Sequence, residues 1–354
     1  MFGGIYENRN VFLTGHTGFK GSWLAAWLQQ LNANIFGFSL DSVSEPDHFS
    51  LLALQSSDNR GDIRNFDALQ QNLEQSRAEI VFHLAAQPLV RRSYAEPLET
   101  FSTNALGTAN LLQAVRSVPT VRAAVVITTD KVYENREWDW GYRETDRLGG
   151  YDPYAASKAC SELVANCFRQ SYYEQSGVLL ATVRAGNVIG GGDWAEDRLI
   201  PDIVRAACRN ETTQIRMPQA TRPWEHVLEP LAGYLLLGQK LLEGQKEYAE
   251  PWNFGPGSDG NISVGRLAES AAKHWDKIHV EIGPAAEKHE TTFLRLDCSK
   301  SENRLGWKPI WNFEETMLQT IRWYKEYYET GKILTWTQLE KFIYDAQKQG
   351  AVWT

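Results

Sequence analysis

Thr14-Gly15-His16-Thr17-Gly18-Phe19-Lys20-Gly21 is the stretch that decides how this chain folds. The run before it, Val11-Phe12-Leu13, has the length and apolar character of a buried strand. After it, Trp23, Leu24, Trp27, Leu28 and Leu31 recur at helical spacing. Strand, glycine-rich turn and helix in that order make a phosphate-binding unit. Gly15 permits a tight turn, Gly18 lets a pyrophosphate approach the backbone, and Gly21 lets helix pack on strand. The helix N-terminus adds N–H donors and a partial positive charge. Three glycines can also be turn chemistry alone, but the strand before and the helix after favour a dinucleotide site.

Outward from this unit the rhythm continues. Residues 35–38, 79–84, 123–127 and 178–183 read as strands, and 103–115 and 154–168 carry helical periodicity. The alternation predicts an α/β fold, a Rossmann-type doubly wound parallel sheet. Beyond residue 187 glycine, proline and tryptophan become dense and the elements shorten. A smaller C-terminal substrate domain is expected there, over the carboxyl ends of the strands. The expected division is 1–186 for the dinucleotide domain, completed by segments around 225–255. Residues 187–354 form mainly the substrate domain, interleaved with the first.

Composition excludes several classes. The 354 residues are 43% hydrophobic and 23% charged, ordinary for a soluble globular protein. No apolar run approaches the ~20 residues needed to span a bilayer, and the first residues lack a basic, then apolar, leader. A cytoplasmic protein without a membrane partner is expected. A net charge of -8 gives no global field for nucleic acid, so an anionic small ligand would rely on local arginines and helix ends. Cys160, Cys167, Cys208 and Cys298 form no C-x-x-C pair and are expected to be buried free thiols. The seven histidines show no H-x-x-x-H spacing, so no metal site is expected.

Two carboxylates bear on the cofactor. The second strand ends in Phe38-Ser39-Leu40-Asp41, without arginine or lysine. Asp41 can accept from a ribose 2'-hydroxyl and would repel a 2'-phosphate, which favours NAD; it can equally be a solvated loop residue. Asp62 sits where a carboxylate could accept from the adenine amino group, or could cap a helix over 65–73. Tyr154 and Lys158 lie four apart and share one helix face. The ammonium is expected to favour the phenolate, which can take a hydroxyl proton while hydride leaves the same carbon. The strand ending Ile127-Thr128-Thr129-Asp130-Lys131 delivers polar residues to the same edge.

The order of these motifs resembles the extended short-chain dehydrogenase/reductase superfamily. It comprises the phosphate loop, His83-Leu84-Ala85-Ala86-Gln87, Thr103-Asn104, Thr129-Asp130-Lys131, Tyr154/Lys158 and Arg184-Ala185-Gly186-Asn187. Asp130-Lys131-Val132-Tyr133, Gly149-Gly150-Tyr151-Asp152-Pro153-Tyr154, Gly190-Gly191-Gly192-Asp193-Trp194 and Arg222-Pro223-Trp224-Glu225-His226-Val227-Leu228-Glu229 narrow it to the nucleotide-sugar 4,6-dehydratases. Within them the chain resembles the branch that takes CDP-glucose, from about Asn10 to Trp323.

That resemblance implies oxidation at C4 of the sugar, loss of water across C5 and C6, and reduction at C6, with NAD retained throughout. It implies Tyr154 as base on the 4-hydroxyl, Lys158 tuning it, Thr129 bonding that hydroxyl and Asp130 protonating the departing C6 hydroxyl. Lys131 stands where the dTDP-glucose enzymes carry a glutamate as C5 base; the CDP-glucose enzymes share the lysine. Such a base must be neutral, and simple pairing with Asp130 is the competing role. The resemblance further implies NAD contacts from Gly15, Thr17, Gly18, Phe19, Lys20, Asp41, Asp62, Ile63, Leu84, Ala85, Ala86, Gln87, Asn104 and Thr128, besides Tyr154 and Lys158. Asn187, Arg198, Arg222 and Arg295 would face the substrate diphosphate.

The resemblance also implies a homodimer, or a higher oligomer, built on a four-helix bundle from 103–115 and 154–168, and the apolar stripes Leu106, Ala109, Leu112 and Leu163, Cys167 fit that interface. In the tail Trp336, Leu339, Phe342 and Ile343 recur at helical spacing, predicting packing on the domain surface or on a neighbouring subunit. Two rivals stand beside this reading: another dehydratase or a 4-epimerase on the same fold, and a non-catalytic dinucleotide-binding regulator. The Asp130-Lys131 pair speaks against an epimerase, and Tyr154/Lys158 beside Thr129 against a regulator.

Overall fold

The computed structural model describes residues 1–42, 44–283 and 293–354. Seven strands form one parallel sheet: β1 (Asn10–Thr14), β2 (Asn34–Ser39), β3 (Ser57–Arg60), β4 (Ile80–His83), β5 (Ala123–Ile127), β6 (Leu179–Ala185) and β10 (Pro251–Phe254). Their order is β10-β6-β5-β4-β1-β2-β3, all neighbours parallel. The order reverses between β1 and β4, so a crevice opens at the carboxyl ends of these strands.

Both faces are covered, and strand alternation decides which residue goes where. Val11, Leu13, Ile80, Phe82 and Val125 face one layer, made by α1 (Phe19–Gln30), α10 (Leu228–Leu242) and the C-terminal helices. Phe12, Val81, Ala124 and Val126 face the other, with Leu69 and Leu73 of α3 (Phe66–Ser76) and Leu111 and Leu112 of α6 (Gly107–Ser117). Leu112 is therefore core, which removes it from the surface stripe expected of it, whereas Leu106 and Leu163 are 55% and 58% exposed. Strand β3 gives no hydrophobic signal. It is an edge strand of polar residues with one neighbour, where side chains meet water.

The remaining strands lie outside this sheet. β7 (Asn187–Ile189), β9 (Thr221–His226) and β11 (Asn261–Ser263) form a three-stranded sheet, and β8 (Thr212–Ile215) pairs with β12 (His279–Ile282). The shorter helices are α2 (His48–Leu52), α4 (Val90–Ala95), α5 (Pro97–Phe101) and α8 (Glu174–Ser176). The longer ones are α7 (Pro153–Phe168), α9 (Leu199–Cys208), α11 (Val264–His274), α12 (Phe313–Thr330) and α13 (Thr335–Lys348).

The tail packs on its own chain. Leu339, Phe342 and Trp353 are buried, and Phe342 meets the Trp27 ring at 5.8 Å on α1. Trp353 stacks on Phe2 at 5.4 Å, and the Phe2 N–H donates to the Trp353 carbonyl (2.6 Å), which ties the two ends of the chain together. Of the cysteines, none in a disulfide, Cys298 is buried and Cys160 is half-buried in the middle of α7, while Cys167 and Cys208 are exposed on the last turns of α7 and α9. No described helix is long and apolar enough to cross a membrane.

Candidate active site

The glycine turn is a cradle of bare backbone. Gly15 has φ +73°, and a Cβ on it would stand 2.6 Å from the Ala85 nitrogen. A Cβ on Gly21 would stand 2.0 Å from the Gly15 oxygen. Neither position accepts another residue without moving the chain. The Thr14 hydroxyl pairs with His83 Nδ1 (2.7 Å) and accepts from the Ala85 N–H (3.2 Å), locking the exit of β4 to that of β1. Thr17 pairs with the Ser39 hydroxyl (2.8 Å). Gly18 caps α1 and Phe19 opens it, so free N–H groups face the cradle. This donor set suits a dinucleotide pyrophosphate.

The other residues expected around the cofactor fall into two groups. Leu84 and Ala85 follow β4 beside the cradle. The Asp41 side chain is 90% exposed, 3.7 Å from Arg60. Asp62 is gripped by the Arg64 Nε (2.8 Å), which holds its carboxyl below the usual range. Asn65, not Asp62, caps α3, accepting from the Ala68 N–H (3.1 Å), because it directly precedes the first helical residue. Ile63 is buried. Gln87 and Asn104 spend their side chains inside the protein. Asn104 accepts from the Gln87 N–H (2.8 Å) and donates to the Ser157 hydroxyl (2.8 Å), and Gln87 donates to Thr100 (2.9 Å). They shape the Ala85–Ala86 backbone through this staple.

Helix α7 starts where its sequence requires: the Asp152 carboxylate accepts from the Ala155 N–H (2.9 Å) and Pro153 takes the first turn. Tyr154, Lys158 and Glu162 then share a face. Lys158 Nζ donates to the Ile127 carbonyl (2.9 Å) at the end of β5. Burial depresses its ammonium to about 8, with Lys20 adding to the effect. Burial pushes the Tyr154 phenol up to about 12, against the pull of the Thr129 hydroxyl and the Arg198 charge. Lys158 was expected to be the cation that favours the phenolate. In this structure the Lys158 ammonium is turned to a backbone carbonyl, and Arg198 is among the charges that lower the Tyr154 phenol.

Beside them, the Thr129 hydroxyl donates to Asp130 Oδ1 (2.8 Å), and Asp130 Oδ2 is buried without a hydrogen-bond partner. Burial raises the Asp130 carboxyl, while Lys131, Thr129, Arg222 and Lys20 pull it back. Burial lowers Lys131, against Asp130 and Asp152. The two side chains make no direct ion pair among the described residues, and the shifts run toward a protonated acid beside an amine that sheds its proton more readily.

Beneath this pair lies an element that sequence reading missed. Glu162 accepts from Thr128 (2.5 Å), Thr182 (2.7 Å) and both Nε and Nη2 of Arg184 (3.0 and 2.9 Å). The Thr128 hydroxyl is thus committed to Glu162. The spacing of four from Tyr154 through Lys158 to Glu162 was the available sign.

Of the substrate-side residues, Arg198 is held by Asp193 (2.8 Å), itself fixed where Tyr324 donates to its carbonyl (2.6 Å). The charge of Arg222 is felt at both Asp130 and Lys131. Asn187 is half-buried on β7, paired with Trp224 of β9. Arg295 packs on the Phe293 ring at 4.6 Å, its Nε buried without a hydrogen-bond partner, and its carbonyl accepts from the Tyr142 N–H (2.9 Å). Arg198 and Arg222 therefore converge on the Asp130–Lys131–Tyr154 group. Glu225, also unforeseen, is buried in the same region. No described cluster of His, Cys, Asp or Glu is arranged to hold a metal ion.

Residues 12–320 match the model of the GDP-mannose 4,6 dehydratase family. The CDP-glucose 4,6-dehydratase of Salmonella typhimurium is 48% identical over 329 residues, covering 91% of this chain and 92% of that one. The dTDP-glucose 4,6-dehydratase DesIV of Streptomyces venezuelae, solved with NAD, superposes with a TM-score of 0.75 at 26% identity, covering 89% of this chain and 97% of that one. MoeE5, solved with UDP-glucose and NAD, shares the fold with a TM-score of 0.77 at 24% identity, covering 90% of this chain and 100% of that one.

Proposed function

Since the chain belongs to the GDP-mannose 4,6 dehydratase family, we propose that it is an NAD-dependent lyase that converts CDP-glucose to CDP-4-dehydro-6-deoxyglucose and water. The observation that carries this reading is a buried acid and an adjacent depressed amine, Asp130 and Lys131, set beside Tyr154. Elimination across C5 and C6 needs such a pair; a 4-epimerase has no use for one.

The Gly15–Gly21 cradle, with Lys20, Ala85 and Lys158 around it, would hold NAD, which would supply the hydride acceptor for C4 and, once reduced, the hydride donor for C6, with Lys131 returning the proton to C5. Tyr154 takes the proton of the 4-hydroxyl, oriented by Thr129. Its high resting pKa means that the proton must be drawn off by cations, of which Arg198 is one. With C4 a ketone, the C5 hydrogen is acidic, and neutral Lys131 removes it. Asp130 gives its proton to the C6 oxygen, the C6–O bond breaks and water leaves. Arg198, Arg222, Arg295 and Asn187 hold the diphosphate, where planar guanidinium suits paired oxygens.

The functional unit is a homodimer formed through a four-helix bundle of residues 103–115 and 154–168, in the cytoplasm. Support comes from the exposed apolar side chains of Leu106 and Leu163 on these helices. Residues 1–186, completed by segments around 225–255, act as the NAD unit, and 187–354 mainly as the sugar-nucleotide unit, interleaved with the first. The test is turnover of CDP-, dTDP-, UDP- and GDP-glucose side by side. CDP-glucose should give a product that develops the absorbance of a 4-keto-6-deoxy sugar in base; faster turnover of another nucleotide would overturn the substrate, and recovery of a C4 epimer would overturn the reaction.

A further inference from the structure

The run Phe38-Ser39-Leu40-Asp41 that ends β2 holds no cation, but the fold brings one to it. Ser39 pairs with Arg60 in the register of β2 with β3, and Arg60 Nη1 donates to the Leu40 carbonyl (3.2 Å). The same carbonyl accepts from the Thr17 hydroxyl of the phosphate loop (3.1 Å). Arg60 Nε stands 3.7 Å from Asp41 Oδ1. At the end of the second strand a carboxylate suits a free ribose 2'-hydroxyl, whereas an arginine suits a 2'-phosphate. Asp41 and Arg60 therefore pull the choice of dinucleotide in opposite directions.

The balance is set one step back along β3. Asp58 shares a face of that strand with Arg60, and its Oδ2 accepts from Arg60 Nη2 (2.7 Å). Its other oxygen, Oδ1, lies 2.8 Å from His16 Nε2. A carboxylate only accepts, so we assign the ring proton to Nε2. Burial pushes the His16 imidazole down against the pull of Asp58, so the ring is a neutral donor. Its Nδ1, buried without a hydrogen-bond partner, is then the bare nitrogen.

His16 belongs to the phosphate loop and reaches β3 by crossing β2. Gly37 pairs with Asp58 in register, and a Cβ on Gly37 would stand 2.6 Å from the His16 ring. Only a bare backbone lets the imidazole lie across the strand there. Phe49 meets that ring edge-on at 4.8 Å and lies 5.8 Å from the Arg60 guanidinium. The neutral imidazole adds no charge, so Asp41 and Asp58 against Arg60 leave the ribose end net negative. Asp62 and Arg64 are bonded to each other (2.8 Å) and cancel.

We propose that Asp58, pinned by His16, selects NAD over NADP by occupying the Arg60 guanidinium, which then braces Asp41 and is withheld from a 2'-phosphate. Asp58 is thus a positioning residue that acts through Arg60 and touches no reacting atom. The inference rests on NAD being held at the Gly15–Gly21 cradle and is independent of which sugar nucleotide is used.

The test is calorimetric titration of the full-length chain, freed of cofactor, with NAD and with NADP. It compares wild type, Asp58→Asn, Arg60→Met and the double variant. Asparagine keeps an acceptor for His16 but removes the charge that holds Arg60. Asp58 and Arg60 are 34% and 37% exposed, so water screens them in part and the effect is moderate. The ratio of the NADP to the NAD dissociation constant should fall ~10-fold in Asp58→Asn, since one carboxylate fewer faces the 2'-phosphate and Arg60 is free to reach it. NAD affinity should stay within a few-fold. Adding Arg60→Met restores the wild-type net charge and should restore the ratio, while Arg60→Met alone should raise it ~10-fold. An unchanged ratio in Asp58→Asn overturns the proposal, as does a fall that Arg60→Met fails to reverse. If Asp58→Asn does not fold, Arg60→Met alone decides, and an unchanged ratio there overturns the proposal. A wild type that binds NADP as tightly as NAD also overturns it, whereas a wild type that binds no NAD overturns the cofactor reading itself.

Discussion

Replacing Arg184 by methionine tests how the catalytic strand end is held. Arg184 and Glu162 are each 2% exposed. The guanidinium gives two bonds to Glu162, one to the Tyr133 hydroxyl (2.8 Å) and one to the Glu144 carbonyl (3.1 Å). Methionine keeps the stem but leaves the Glu162 carboxylate with two hydroxyl donors and no bonded cation, only the more distant charges of Lys158 and Arg169. Breaking a buried pair from one side costs about 3–5 kcal/mol. Unfolding entropy scales with length, so for 354 residues each kcal/mol lowers Tm by roughly 1.3 °C. The expected drop is about 4–7 °C at neutral pH, read by calorimetry and urea unfolding.

The pH dependence is the sharper readout. Burial alone would raise the Glu162 carboxyl, but Arg184 and the hydroxyl donors outweigh it and hold the group below its usual range. Its stabilisation is therefore present above the unfolded value of about 4.3 and lost as pH falls through the folded one. Without Arg184 the folded pKa should rise above 4.3, so the variant should regain stability as pH falls toward that value. Glu162→Gln in the Arg184→Met background should recover part of the loss, since an amide needs no counter-charge. A single variant that loses under about 1 kcal/mol and keeps the wild-type pH slope would show that solvent reaches the pair, refuting this account.

Four further outcomes are expected. Tyr154→Phe should slow C4 oxidation by ~10²–10⁴ while substrate affinity stays within a few-fold; near-normal NADH formation in a single turnover would remove Tyr154 as the base. Lys131→Met should still oxidise C4, accumulate NADH and lose C5 exchange with deuterated solvent by ~10²–10⁴; exchange at the wild-type rate would take Lys131 off the catalytic list. On the proposed interface the wild type should sediment as a dimer and Leu106→Glu with Leu163→Glu as a folded monomer; an unchanged dimer in the variant would place the interface elsewhere. Trp353→Ala, which strips the tail's anchor on Phe2, Trp27 and Phe342, should cost about 3–5 kcal/mol in urea unfolding. A cost below 1 kcal/mol would make the tail peripheral.

What could be read without coordinates was whatever local chemistry dictates. The glycine turn, the strands at 80–83 and 123–127 and the helix from Pro153 carry their causes within a few residues: a left-handed φ, a run buried on both faces, an Asp–Pro start. The motif order also placed Tyr154, Lys158 and the Thr129–Lys131 segment at one edge. Strand β3 escaped, because an edge strand facing water needs no hydrophobic pattern.

Charge pairing was decided only by the tertiary structure. Arg198 meets Asp193 because both lie in the turn that α12 braces, and Glu162 meets Arg184 across 22 residues. It was likewise the fold that turned Lys158 to the Ile127 carbonyl and left Arg198 acting on Tyr154. A side chain's type shows that it can carry charge. Its pKa depends on which other charges share its low-dielectric surroundings, and residues distant in the chain become neighbours only when the sheet and its crevice have formed.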